Sequence, residues 1–74
     1  MPQFELDAVG PAATSGLTRG RDAADAVRRA AALPPDADVS VDAHADAHGW
    51  QCVRIAGVEA GRIRLHGRMR FRRD

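Results

Sequence analysis

Arginine and histidine occupy every second position of residues 62–72 (RIRLHGRMRFR), placing Arg62, Arg64, Arg68, Arg70 and Arg72 on one side of an extended chain with His66 among them. Side chains two apart on a strand stand about 6.5–7 Å from each other on one face. That is close to the phosphate spacing along one nucleic-acid strand. Guanidiniums at this interval can hold a phosphate backbone through charge-assisted, bidentate hydrogen bonds. Arg54 falls on the neighbouring segment, and Trp50 just before it could stack a base. The plainer alternative is a solvated row, or one neutralised by Asp42 and Asp46. The chain carries no RRM-type aromatic signature, KH-type GxxG loop or zinc-knuckle spacing.

Three other groupings could do chemistry. In Asp42-x-His44-x-Asp46-x-His48, neighbours two apart on a strand can share a metal ion. His44 and His48, four residues apart, would be separated by about 13 Å. A site would need Asp42 or Asp46, His44 and a further ligand from elsewhere, and the alternative is a polar face. Cys52 with His44 or His66 has the residue types of a thiolate–base pair, but an open sheet offers neither a pocket nor oxyanion donors. Residues 16–21 (GLTRGR) place two glycines and two arginines before a helix start, where an anion could bind. They match no phosphate-loop pattern. The expectation is a protein that is not an enzyme, with no cofactor and no metal.

The balance of residue types sets the limits. Seventy-four residues make one domain, 1–74, and so short a chain buries only about 60% of its unfolded surface. Hydrophobic residues make up 45%, but many are alanines, so the core is thin. A shared surface between copies would relieve this. The eleven basic residues are all Arg, which together with the alanine content points to a GC-rich genome. Residues 1–48 carry four Arg against eight Asp and Glu, net −4, and residues 49–74 carry seven Arg against two acids, net +5. Such asymmetry bears on partners, or on one half neutralising the other. The single cysteine excludes an internal disulfide. The start, MPQFE, has no basic and apolar signal regions, and no apolar run approaches the ~20 residues of a membrane span. A cytoplasmic location without membrane contact is the expectation.

The elements that must position these groups follow from periodicity. Residues 3–9 (QFELDAV) alternate as a half-buried strand, ended by Gly10-Pro11. Residues 11–20 read as a loop. Residues 22–33 read as a helix with Asp22 as N-cap, an Asp25–Arg29 pair on its outer side and Pro34-Pro35 as its stop. Residues 38–47 and 62–72 alternate without a break, and residues 51–58 form the strand between them. A three-residue loop His48-Gly49-Trp50 buries Val53 and Ile55. A three-residue loop Glu59-Ala60-Gly61 then sets Ile55 opposite Leu65, Cys52 beside Arg68 and Arg54 beside His66. Trp50 would serve as core, oligomer contact or stacking platform, the first two being the safer assignment.

The predicted class is therefore α+β, in the order β-α-β-β-β, with one helix on a mainly antiparallel four-stranded sheet. That order resembles the ribosome-associated hibernation factor domain, without its final helix, and the resemblance implies ribosomal RNA as a partner. In length, in its early strand and helix before a long hairpin, and in its single Trp, the chain also resembles the dodecins. That likeness implies self-assembly and flavin binding. The first is a likeness of topology and the second one of size, element order and a single Trp, and fold alone does not set function. The leading functional expectation is a binding module, homo-oligomeric, whose exposed Arg54, Arg62, Arg64, Arg68, Arg70, Arg72 and Trp50 contact RNA or an acidic protein surface. The alternative is a structural, self-assembling protein or a dodecin-like small-ligand binder.

Overall fold

The computed structural model describes residues 1–66; Arg68, Arg70 and Arg72, with Met69 and Phe71 between them, lie outside the described residues. The chain runs β1 (Gln3–Val9), β2 (Thr14–Arg19), α1 (Ala23–Ala30), β3 (Val39–Val41), β4 (Gln51–Ile55) and β5 (Val58–Leu65). The class is α+β, as the periodicity implies, but the sheet has five strands, ordered β2-β1-β5-β4-β3, with every neighbouring pair antiparallel. The order β-β-α-β-β-β departs from both topologies that the chain resembles.

The additional strand is β2, where a loop is expected. Its partners are Glu5↔Leu17 and Leu6↔Gly16, so Gly16 and Thr18 take the positions that face the core. Neither is apolar, and no hydrophobic alternation marks the strand. β1 alternates as expected through Phe4 and Leu6 and then bulges. Ala8 adopts φ 56°, its N–H donates to Ser15 Oγ at 3.0 Å, and Val9 rather than Ala8 turns into the core.

Helix α1 is shorter than the expected 22–33. Asp22 caps it, accepting from the Asp25 N–H at 2.8 Å. At the other end the Leu33 N–H donates to the Arg28 carbonyl and the Ala32 N–H to that of Arg29, with Ala32 at φ 55°. This is a Schellman closure with alanine in the place glycine usually holds, and it ends the helix ahead of the prolines. Gly20 brings the helix start against the sheet, because a Cβ there would stand 2.5 Å from the Ala26 nitrogen.

The strand expected over 38–47 is confined to Val39–Val41. Asp42 Oδ1 accepts from the His44 N–H at 3.2 Å, and Asp46 Oδ1 accepts from His48 at 2.8 Å and Trp50 at 3.0 Å. Carboxylates that bond nearby backbone offer an alternative to the strand ladder. Ala43, Ala45 and Ala47 have too little apolar surface to compete, and they lie exposed.

The last hairpin also turns elsewhere than expected. Ala56 (φ 53°) and Gly57 (φ 79°) form a two-residue turn pairing Ile55 with Val58. Positive φ at both positions matches the twist of the flanking strands. Gly61, expected in the turn, lies within β5 next to a bulge, at φ 139°. There it passes β1 so closely that a Cβ would stand 2.4 Å from the Ala8 carbonyl oxygen. Cys52 consequently faces Arg62 instead of Arg68, and Arg54 faces Glu59 instead of His66.

The core lies between α1 and one face of the sheet: Phe4, Leu6, Val9, Ala26, Val27, Val53 and Ile63. Val39, Val41 and Ile55 pack against it, as their alternation implies. Leu65 shares the parity of Ile63 but is half-exposed.

Candidate functional site

The sheet face opposite α1 gathers the chemistry. β5, in the middle of the sheet, presents Arg62 and Arg64. β1 presents Asp7 and Glu5 directly across from them. Arg62 Nε donates to Asp7 Oδ2 at 2.8 Å and Arg64 Nε to Glu5 Oε1 at 2.9 Å. Both guanidiniums also stack on Trp50, with their Cζ atoms 4.5 and 4.3 Å from the ring centroid. Arg64 Nη1 additionally donates to the His48 carbonyl at 3.0 Å. Opposite charges across a strand pair contribute about 0.2–1 kcal/mol, and a cation on an exposed aromatic face about 0.5–1 kcal/mol. Together they hold the two side chains in a fixed array. Trp50 is thus a platform for two arginines and lies outside the core cluster.

The expected neutralising partners, Asp42 and Asp46, are replaced by Glu5 and Asp7. The clue lay in β1: its outer row Glu5, Asp7 is the charge complement of Arg64, Arg62. Reading it required knowing that β1 and β5 are neighbours. Asp46 serves the loop instead. The Trp50 and His48 N–H groups hold its carboxyl below the usual range, against a smaller opposing effect of burial. Its two bonds close the turn over residues 46–50, and an open cleft of about 480 Å³ is lined by Asp42, His44, Asp46 and Trp50 on one side and by Cys52 and Arg62 on the other.

Arg54 is exposed on β4, between Ser40 and Glu59, with no ion pair among the described residues. Arg68, Arg70 and Arg72 fall outside the described residues. More than half of the net positive charge of residues 49–74 lies in the last eight residues. Residues 1–66 carry seven Arg against nine acids, net −2, and residues 67–74 carry four Arg against Asp74, net +3.

The remaining candidates resolve differently. Asp42, His44, Asp46 and His48 occupy a loop in which the two carboxylates bond backbone. No group of three or more metal-ligating side chains comes together among the described residues. The Cys52 thiol is pushed up by burial first and by the Glu59 charge second, so it stays protonated at neutral pH and is a poor nucleophile. Residues 16–19 belong to β2, and the helix start behind them is already served by carboxylates. Asp25 accepts from the Arg21 N–H at 2.9 Å and from Arg29 Nε at 3.0 Å, and these bonds lower its pKa. An anion there would meet two negative charges. No helix among the described residues is long and apolar enough to cross a membrane.

No protein-family model, curated protein or solved structure matches the chain.

Proposed function

We propose that this chain is a non-enzymatic binding module that contacts a polyanion, with single-stranded RNA as the fitting class, through the face that carries Arg54, Arg62, Arg64 and Trp50 and through Arg68, Arg70 and Arg72, which follow in the sequence. The observation that carries this reading is the pair of guanidiniums on the sheet face opposite α1, prealigned on one indole with their Nε atoms anchored. Prealigned donors lose less freedom on binding than mobile ones. Glu5 and Asp7 reduce the net charge of that face, so the last eight residues, net +3, supply most of the attraction.

The test is titration of a labelled single-stranded RNA across salt concentrations. Neutralising about three phosphates gives a slope of about −2 in log affinity against log salt. Absence of binding at low salt, or binding indifferent to salt, removes the proposal. An acidic protein surface would be the ligand if heparin and acidic peptides bind while RNA does not.

A second reading, self-association, is favoured by the exposure of Leu17, Val58 and Leu65, each at least half accessible on a chain with a small core.

A further inference from the structure

The two edges of the sheet are not equivalent. β3 has three residues, Val39–Val41, flanked by Asp38 and Asp42. Short edge strands with flanking charges resist pairing with another chain. β2 has six residues, contains no proline, and carries one charge, Arg19, at its last position. Its irregularity lies on the β1 side, beyond Leu6, and no described residue pairs with its outer edge. At the middle of its outer face stands Leu17, half-exposed.

The geometry points to β2 as a self-complementary interface, pairing antiparallel with β2 of a second copy across a two-fold axis at Leu17. This rests on the self-association reading and names its surface. The occupant follows from the backbone: a row of unpaired N–H and C=O groups is completed by another strand. A two-fold axis that keeps matching faces together runs perpendicular to the sheet, so residue i faces a residue of the same parity. Centring on Leu17 sets the two leucines side by side at about 4.5–5.5 Å between Cβ atoms. Arg19 then faces Ser15, and Gly16 faces Thr18, so no like charges are opposed. Centring on Gly16 would set glycine against glycine and drive Arg19 against the Ala13 turn at φ 51°. The Leu17 register covers apolar surface and completes the edge at once. The product is one continuous ten-stranded sheet, twice the five of each copy, whose outer faces point the same way.

Sedimentation of the whole chain over the micromolar to millimolar range should show mass rising from one chain toward two. Leu17→Lys, which places two ammonium groups together at the axis, should hold the mass at one chain with an unchanged circular dichroism spectrum. In a Cys52→Ser background, Leu17→Cys should give a covalent dimer on mild oxidation. Arg19→Cys should not, because its symmetry mate lies about 14 Å along the strand. A single-chain mass at every concentration overturns both the interface and the self-association reading, including the case where protected β2 amides show that residues 67–74 of the same chain fill the edge. A dimer that survives Leu17→Lys, or that Leu17→Cys fails to trap, leaves self-association standing and overturns β2 as its surface.

Discussion

Replacing Gly61 by alanine should be far more damaging than replacing Gly57, although both glycines have positive φ. Gly57, at 79°, occupies an open turn with nothing within 4 Å of an added Cβ. Alanine there meets only the left-handed penalty, about 1–2 kcal/mol. Gly61, at 139°, would place its Cβ at 2.4 Å from the Ala8 oxygen and 2.6 Å from the Asp7 oxygen. Those atoms are backbone of the adjacent strand and cannot swing away as a side chain can. Backbone strain of about 1–3 kcal/mol is therefore joined by an overpacking cost of about 1–3 kcal/mol. A loss of roughly 2–6 kcal/mol compares with a total stability of about 4–11 kcal/mol for a chain of this length. With a shift of about 4–8 °C per kcal/mol, Gly57→Ala should lower the melting temperature by about 4–16 °C and Gly61→Ala by at least about 8 °C, up to complete loss of folding. Thermal melts by far-ultraviolet circular dichroism, read side by side, decide it. If Gly61→Ala melts no lower than Gly57→Ala, the close approach of β1 and β5 at the bulge is wrong.

Removing the carboxylates opposite the arginines, as Glu5→Gln with Asp7→Asn, should strengthen RNA binding several-fold and steepen its salt slope; unchanged affinity would mean that Arg62 and Arg64 do not meet the ligand. Ala56→Gly should stabilise the hairpin by about 0.5–1 kcal/mol, the left-handed relief less the added freedom of the unfolded chain, measured by urea unfolding. The carboxyls of Asp25 and Asp46 titrate below their unfolded value. Their contribution to stability is present above the ordinary carboxylate pKa and disappears as pH falls through the folded pKa. Melts from neutral to acid pH should therefore show a smaller acid loss for Asp46→Asn than for the parent. Cys52 should react with a maleimide only slowly until the pH passes the ordinary cysteine range, and Glu59→Gln should move that profile downward.

Alternation and capping made β1, β4, the start of α1 and the two faces of β5 legible, because Phe4, Leu6, Val53 and Ile63 are large enough for their period to be seen. β2 escaped since its core-side places hold Gly16 and Thr18. Residues 38–47 alternate equally well on paper, but with alanine as the apolar partner, and the Asp42 and Asp46 side chains decided that contest locally. The hairpin shifted because two glycines, Gly57 and Gly61, competed for the turn. Gly57 took it with Ala56 in a left-handed conformation that alanine rarely adopts. At the site, the outward aim of Arg62 and Arg64 and the nearness of Trp50 were readable. The Glu5 and Asp7 pairing was not, since it depends on which non-consecutive strands lie together.

The chain has one tryptophan, and both cations lie on it. Its emission is therefore tied to the positions of Arg62 and Arg64. A ligand that draws either guanidinium onto its own phosphates must uncover the indole or replace the cation with a base, and each event changes the intrinsic fluorescence. The molecule carries its own optical gauge, requiring no label and sited at the surface whose occupancy is in question.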